Sequence, residues 1–307
     1  MNYSRREILQ LYGCAGLGMT LTPSLFSFSQ IQKMGQRTIP GSGEKLPMVG
    51  LGTWQTFDIG NSKSELEIRK QVLAQMYKMG GSVIDSSPMY GSSETVVGEA
   101  ASQLDSQDDF FYATKIWTSG KQAGIDQMTS SCRKMKVKTM DLMQIHNLVD
   151  WETHLRTLRN FKEQGKIRYW GLTHYVDSAH DTLERIIVAE KPDFVQFNYS
   201  IRSRNAEKSL FDTCKKHGTA TIINQPYESG SLFRKVRGKD LPGWASEYGI
   251  ASWGQYFLKF ILSNEGVTCV IPGTSNVKHV IDNMGAGYGR LPDGNTREKM
   301  AAYLVSI

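Results

Sequence analysis

The stretch that decides the fold is Ser82–Glu94, which reads SVIDSSPMYGSSE. It begins with a short apolar run that ends in Asp85. Runs of the same kind follow at Phe110–Lys115 and Met140–Ile145, and longer helical patterns separate them. Continuous apolar runs of this length are typical of strands that are buried on both faces of a parallel sheet. The pattern therefore predicts a repeated strand–helix unit.

The same alternation continues outward from this stretch along the chain. Eight strands are predicted, at Met48–Thr53, Ser82–Asp85, Phe110–Lys115, Met140–Ile145, Tyr169–Leu172, Phe194–Phe197, Ala220–Asn224 and Thr268–Ile271. Eight strands separated by helices predict an α/β fold, a closed (β/α)8 TIM barrel. A short N-terminal hairpin between Thr38 and Leu46 would precede the first barrel strand. The alternative is an open, doubly wound sheet, but the glycines of Gly50–Trp54 lack the Gly-x-Gly-x-x-Gly spacing of that fold.

Helical periodicity and capping residues predict several helices between the strands. Apolar residues recur every three or four positions in Ser64–Met79, Trp151–Gln164 and Ser252–Leu262. Ser252 is the expected N-cap of the third of these helices. Asn295, with Glu298 three residues later, is the expected N-cap of the closing helix.

The composition excludes several classes of partner. The chain has 307 residues and a formal net charge of +6, and its basic residues are scattered. Nucleic-acid binding requires a denser basic stripe, so we expect no nucleic-acid partner, although a basic surface would attract a phosphate-bearing cofactor. The four cysteines show no Cys-x-x-Cys spacing, so we expect no metal site. Cys132, Cys214 and Cys269 are expected to be small core residues.

Residues 1–29 have the pattern of a twin-arginine-type signal peptide, and residues 30–307 form the predicted barrel domain. Arg5 and Arg6 precede a moderately apolar stretch without charge, and Ser27-Phe28-Ser29 offers a cleavage site before Gln30. The stretch is too rich in Gly, Ser and Thr for a stable membrane anchor. We therefore expect export to the periplasm, with the twin-arginine export machinery as a partner.

Ionisable residues end three successive predicted strands. The second strand ends in Asp85, the third ends in Lys115, and His146 follows the fourth. The carboxyl ends of barrel strands share one rim, and this rim carries the active site in barrel enzymes. Pro88 and Gly91 indicate a turn that could hold Tyr90 over the same rim. The sequence therefore predicts that these four side chains meet.

These motifs together resemble the aldo-keto reductase family, and in particular a subgroup with twin-arginine signals. The resemblance is carried by the Asp-x-x-x-x-Tyr-Gly-x-x-Glu pattern of Asp85–Glu94, by Thr114-Lys115 and by Gln144-Ile145-His146. Gly50–Trp54 and Val270–Gly273 extend it toward both ends of the barrel. The resemblance implies an oxidoreductase that reduces a small-molecule carbonyl, an aldehyde or ketone, with a nicotinamide cofactor.

The resemblance also implies roles for the four residues. Tyr90 would donate the proton to the carbonyl oxygen, and Lys115 would draw the pKa of the phenol toward neutrality. Asp85 would pair with Lys115, and His146 would hydrogen-bond the substrate oxygen and orient it. Trp54, Trp117 and Asn147 would line the substrate pocket. Because the chain ends soon after its last helix, we expect an open pocket.

The cofactor would lie across the barrel mouth, with NADP(H) favoured and NAD(H) as the alternative. The implied contacts are Thr53, Thr173, His174, Gln196, Asn224, Gly230, Leu232, Gly273, Thr274, Lys278, His279, Asp282 and Asn283. This chain departs from the family at several of them. His174 stands where an asparagine is common, and Asn224 stands where an aromatic residue is common. Gly273 and His279 replace the cations that grip the 2′-phosphate of NADP, which leaves the choice of cofactor open.

Two other functions are consistent with parts of this pattern. A regulatory or redox-sensing protein would bind the cofactor and turn over slowly. A barrel lyase or isomerase would not transfer hydride. The presence of all four residues Asp85, Tyr90, Lys115 and His146 favours the reductase.

Overall fold

The computed structural model describes residues 33–307, so the predicted signal peptide lies outside the described residues. The described chain begins with the predicted hairpin. Strands β1 (Gln36–Thr38) and β2 (Lys45–Pro47) pair antiparallel, with Thr38 opposite Lys45. The hairpin prediction is therefore confirmed.

Eight further strands form one parallel sheet in chain order. They are β3 (Leu51–Gly52), β4 (Val83–Asp85), β5 (Phe111–Ile116), β6 (Met140–His146), β7 (Ile167–Thr173), β8 (Phe194–Asn198), β9 (Ala220–Asn224) and β10 (Cys269–Val270). The first and last of these meet through bridges between Val49 and Val270 and between Gly52 and Gly273. These bridges close the sheet into a barrel, which confirms the (β/α)8 fold and excludes the open sheet.

Ten α-helices accompany the strands in the described part of the chain. They are α1 (Lys63–Lys78), α2 (Ser93–Ala101), α3 (Lys121–Lys134), α4 (Trp151–Glu163), α5 (His180–Glu190), α6 (Leu210–His217), α7 (Ser231–Lys235), α8 (Trp253–Leu262), α9 (Val277–Gly285) and α10 (Gly294–Ser306). No helix among residues 33–307 is long and apolar enough to cross a membrane.

One predicted helix cap is confirmed and one is wrong. Ser252 caps α8, and its hydroxyl accepts the Gln255 N–H at 3.0 Å. The cap of α10 is Asp293 rather than Asn295, since the Asp293 carboxylate accepts the Thr296 N–H at 2.9 Å. Asn295 lies inside the first turn, where its backbone is already helical, and Glu298 bonds to Arg204 instead of completing a capping box.

The interior of the barrel has an apolar floor. Successive side chains of a strand point to opposite faces, so every second residue points into the barrel. The buried inward cluster contains Ile39, Leu46, Val83, Phe111, Ala113, Leu142, Tyr169, Phe194, Ala220, Ile222, Cys269 and Ile271. Ile39 and Leu46 come from the hairpin and extend this floor toward the amino ends of the strands. A second apolar cluster fills the layer between sheet and helices.

The predicted core cysteines lie in these clusters or against them. Cys214 and Cys269 are buried, and Cys132 is half-buried against the outer core. Burial raises the pKa of the Cys269 and Cys214 thiols. These thiols are therefore neutral packing groups, as the sequence predicts.

Gly98 in α2 allows close packing against α3. A Cβ at this position would lie 2.1 Å from the Lys134 carbonyl oxygen, which is backbone and cannot turn away. Although Ala normally stabilises a helix relative to Gly, we expect Gly98→Ala to lower the free energy of unfolding by about 1–3 kcal/mol. Urea unfolding would measure the change. Gly294→Ala is the control, because nothing lies within 4 Å of a Cβ there. Equal effects of the two substitutions would contradict the packing argument.

Candidate active site

A polar layer lies directly above the apolar floor, at the carboxyl ends of the strands. The inward positions that follow the floor residues along β4 to β9 are occupied by Asp85, Lys115, Gln144, His146, Thr173, Gln196, Asn198 and Asn224. The strand ends therefore bring Asp85, Lys115 and His146 to one rim, as predicted. Among residues 33–307, no group of three or more His, Cys, Asp and Glu could hold a metal ion.

Lys115 and Asp85 form a buried ion pair at the centre of this layer. The Lys115 Nζ lies 2.5 Å from Asp85 Oδ2 and also donates to the Ser86 carbonyl at 2.7 Å. Asp85 Oδ1 accepts from the side-chain amides of Gln144 at 3.0 Å and Gln196 at 2.9 Å. Burial lowers the pKa of Lys115, but Asp85 and Tyr90 together outweigh burial and hold that pKa above its ordinary value. Lys115 is therefore charged.

Tyr90 lies over this ion pair. The Lys115 Nζ is 4.9 Å from the centre of the Tyr90 ring, so the predicted turn does bring the phenol to the rim. Lys115 does lower the pKa of the phenol, but the expected net direction is wrong. Burial, the largest contribution, and the Asp85 carboxylate together raise this pKa by more than Lys115 lowers it. Tyr90 is therefore protonated at neutral pH, which is the state that a proton donor requires.

His146 presents a neutral imidazole beside Tyr90. Its ring centre is 5.8 Å from that of Tyr90, and the two rings meet edge to face. The Ser87 hydroxyl accepts the Met89 N–H at 3.2 Å and lies 3.1 Å from His146 Nδ1. With Ser87 as donor to Nδ1, we assign the imidazole hydrogen to Nε2. Burial lowers the pKa of His146 to about 3, with smaller contributions from Lys115 and His174.

The prediction of the site missed Ser86, Ser87 and Gln144 as supports of the four residues. Gln144 could have been found, because it lies two residues before His146 and strand alternation places both on the inward face. The two serines carry no sequence signal of this kind. They follow the end of β4, so only the path of the loop decides what the Ser86 carbonyl and the Ser87 hydroxyl contact.

The predicted cofactor residues at the ends of β7, β8 and β9 form one network. Thr173 Oγ1 donates to Gln196 Oε1 at 3.1 Å, and Asn224 Nδ2 donates to the His174 carbonyl at 3.0 Å. His174 Nδ1 accepts the Tyr175 N–H at 2.9 Å, so its Nε2 carries the hydrogen when the ring is neutral. Asn224 Oδ1 is buried and has no partner among the described residues. This set offers hydroxyl, imidazole and amide groups, which suit the N–H and C=O of a carboxamide.

Other predicted cofactor residues form hydrogen bonds with neighbouring residues of the barrel. The Thr53 hydroxyl is buried and donates to the Asp85 carbonyl at 3.0 Å, so it helps to hold the backbone that carries the Asp85 carboxylate. The Asp282 carboxylate accepts from Ser252 at 2.6 Å, and Asn283 Oδ1 accepts from the Tyr227 hydroxyl at 2.6 Å.

The remaining predicted contacts lie in the loops after β9 and β10. Gly230 has a left-handed backbone with φ of +83°, and the Leu232 side chain after it is buried. Thr274 is buried and its hydroxyl accepts the Asn276 N–H, whereas Gly273, Lys278 and His279 are exposed around the start of α9. The Lys278 ammonium group is thus exposed near the start of α9, whereas the Thr274 hydroxyl is buried.

The predicted substrate residues lie at the rim. Trp54 is 46% exposed and Trp117 is 44% exposed, and the Trp117 ring centre lies 6.5 Å from that of His146. Asn147 has a left-handed backbone with φ of +52°, and its Oδ1 is buried without a partner among the described residues. The site therefore has an aromatic wall beside His146 and is open to solvent.

Comparison with known proteins identifies the family. The sequence profile of the aldo/keto reductase family matches residues 48–298, so the chain belongs to this family. The methylglyoxal reductase YeaE of Escherichia coli K12 is 27% identical over 259 residues, which span 81% of this chain and 89% of that protein. The aldo-keto reductase str7 of Strobilurus tenacellus is 24% identical over 312 residues, spanning 88% of this chain and 90% of that protein.

Solved structures show the same fold. An aldo/keto reductase from Klebsiella pneumoniae, whose crystal structure holds NADP and acetate, superposes with a TM-score of 0.74 at 24% identity. The match covers 89% of this chain and 95% of that chain.

The neutral state of His146 predicts a pH dependence of stability. Its native pKa of about 3 is below the ordinary value of 6.5, so the unfolded chain binds more protons between these limits. Stability should therefore fall as the pH falls from 6.5, with a slope from this residue approaching about 1.4 kcal/mol per pH unit. Urea unfolding of the native protein and of His146→Gln between pH 4 and 7 isolates the contribution. An imidazole NMR titration midpoint near 6.5 in the native protein would contradict the prediction.

Proposed function

We propose that the protein is an NAD(P)H-dependent oxidoreductase that reduces aldehydes or ketones to alcohols, with Tyr90, Lys115, Asp85 and His146 as its catalytic residues. One observation carries the proposal. A charged Lys115, buried with Asp85, faces a protonated Tyr90 beside a neutral His146 at the mouth of the barrel. Family membership supports the same function.

The two rings define where the carbonyl oxygen binds. The Tyr90 hydroxyl and the His146 Nε2–H are both donors, and an oxygen between them would accept a hydrogen bond from each. Tyr90 then gives its proton to this oxygen as the alcohol forms. The Lys115 ammonium stabilises the phenolate that remains, because an opposite charge nearby favours the ionised form.

The site fits a nicotinamide cofactor, with NADP(H) favoured. Thr173, His174, Gln196 and Asn224 would hold the carboxamide, since the unpartnered Asn224 Oδ1 offers an acceptor to its N–H. When bound, the reduced nicotinamide supplies the hydride to the carbonyl carbon. Lys278 and Thr274 would contact phosphate groups near the start of α9, and Asn283 would contact the adenine. The Klebsiella relative that binds NADP supports this choice, with NAD(H) as the alternative.

The exposed rim suits a range of small carbonyl compounds. Trp54 and Trp117 would bind the apolar part of the substrate, while few polar groups besides Tyr90, His146 and Asn147 would orient it. The relationship to a methylglyoxal reductase makes methylglyoxal one compound for the substrate panel.

We also propose that residues 1–29 direct export through the twin-arginine machinery to the periplasm. Arg5 and Arg6, the uncharged stretch after them and the small residues before Gln30 support this proposal. That route moves folded proteins, so the barrel could carry its cofactor with it.

The twin arginines should be necessary for this export. In a bacterial host with the twin-arginine machinery, we expect the native chain in the periplasm with Gln30 as its first residue. The double substitution of Arg5 and Arg6 to Lys should hold the precursor in the cytoplasm, because the signal would no longer be recognised. Cell fractionation and N-terminal sequencing make the measurement. Equal periplasmic amounts of both proteins would contradict the proposal.

Tyr90→Phe should separate proton transfer from cofactor binding. We expect kcat to fall by roughly 10²–10⁴, because the proton donor is removed, while the Kd for the cofactor changes little. Residues 30–307 would be assayed with NADPH and NADH over a panel of aldehydes and ketones. Tight cofactor binding without oxidation by any carbonyl would favour a sensing or regulatory protein instead.

A further inference from the structure

A pair of hydrogen bonds joins the loop that carries Tyr90 to the loop after β3. Asp58 lies in the loop after β3, and its Oδ1 accepts both the backbone N–H of Ser92, at 2.9 Å, and the Ser92 hydroxyl, at 2.8 Å. The Gly60 N–H donates in turn to the Ser92 hydroxyl at 2.9 Å. Ser92 is only two residues from Tyr90, so this connection, which we call the Asp58–Ser92 link, lies next to the proposed proton donor.

Ser92 makes this link instead of a helix-capping hydrogen bond. It occupies the N-cap position of α2, where a serine hydroxyl normally accepts an N–H from the first turn. Here its side chain makes no cap hydrogen bond. The hydroxyl is committed instead to Asp58 and Gly60 of the neighbouring loop, so α2 lacks the side-chain cap that this serine would otherwise provide.

Gly91 shows how closely Asp58 approaches. Its backbone is left-handed with φ of +59°, and a Cβ would lie 2.4 Å from the carboxyl carbon and both carboxylate oxygens of Asp58. A side chain at position 91 would be strained by this conformation and would displace the Asp58 carboxylate. The close approach of the Asp58 carboxylate therefore explains why a glycine lies between Tyr90 and Ser92.

The backbone of Tyr90 makes its hydrogen bonds within its own loop. Among the described residues, its N–H bonds to the Ser87 carbonyl at 3.0 Å and its carbonyl accepts from Ser93 at 3.1 Å, both within the same loop. The Ser93 hydroxyl makes one longer contact, 3.5 Å, with the Thr53 carbonyl. Lys115 and His146, in contrast, are held on strands. The position of the phenol relative to them therefore depends on how its loop is attached.

We propose that Asp58 is a positioning residue for Tyr90, which holds the phenol over Lys115 and beside His146 through the Asp58–Ser92 link. This inference rests on the proposed function, in which Tyr90 donates the proton. The two donors of Ser92 also hold the pKa of the exposed Asp58 carboxyl below its ordinary value, so the carboxylate stays ionised at neutral pH.

Asp58→Ala should lower kcat by about 10-fold, because the phenol of Tyr90 would be less well positioned and a displacement of ~1 Å can cost ~100-fold in rate. The KM for the carbonyl and the Kd for the cofactor should stay within about 2-fold of the native values. Asp58→Asn should retain kcat within about 3-fold, because its amide oxygen can accept the same two bonds. Ser92→Ala should have a smaller effect than Asp58→Ala. The double substitution of Asp58 and Ser92 to Ala should resemble Asp58→Ala alone, because the two single substitutions act on the same Asp58–Ser92 link.

Hydrogen exchange over residues 86–94 provides a readout that does not depend on activity. We expect faster exchange there in Asp58→Ala, and no change in Asp105→Ala, which replaces another exposed loop aspartate in the segment between α2 and β5. Native kcat and native exchange in Asp58→Ala would overturn the inference. Equal losses of kcat in Asp58→Ala and Asp58→Asn would overturn it as well, since charge rather than hydrogen bonding would then be responsible.

The same series separates this inference from the proposed function. If the native protein is active, Tyr90→Phe is inactive and Asp58→Ala is unchanged, the reductase function is supported and the role of Asp58 is contradicted. If the native protein reduces no carbonyl compound, the reductase function is contradicted. In that case, exchange over residues 86–94 would still decide the inference: faster exchange in Asp58→Ala would support the positioning of Tyr90, and unchanged exchange would overturn it.

Discussion

The buried ion pair of Lys115 and Asp85 is the interaction on which the site depends. An ammonium group without solvent contact is costly unless it is paired and its partner is fully hydrogen-bonded. Here the ammonium binds a carboxylate and a carbonyl, and the carboxylate binds two glutamine amides from β6 and β8. Strands from across the barrel thus converge on Asp85, so the pair is fully hydrogen-bonded only when the sheet closes.

The barrel interior has two layers, an apolar floor that stabilises the fold and a polar layer that carries the candidate active site. Aromatic and aliphatic side chains fill the floor, and the residues of the polar layer lie two or four positions further along the same strands. Groups that must stay in place, such as Lys115 and His146, come from these strands. Tyr90 comes from a loop, and the Asp58–Ser92 link to the neighbouring loop holds it in position. This division leaves the rim residues, Trp54 and Trp117 among them, open to solvent.

Some features of the site could not be predicted because they depend on desolvation and on loop paths. The sequence pointed to Lys115 as the group that would lower the pKa of Tyr90, but the extent of burial around the phenol is a property of the folded chain, and burial outweighs the charge. The contact of Ser87 with His146 and that of Ser92 with Asp58 likewise join residues that no periodicity relates. The cap at Asp293 depended on where the helical backbone starts.

The sequence by itself determined the eight strands, the barrel and the rim position of Asp85, Lys115 and His146, because strand alternation and strand ends are local properties that the parallel sheet brings to one edge. It also determined that Tyr90 follows a turn. Only the tertiary structure decided the protonation states of Tyr90 and His146, the network around Asn224, and the contact between Asp58 and Ser92. These depend on burial and on distances between residues far apart in the chain, which no local pattern encodes.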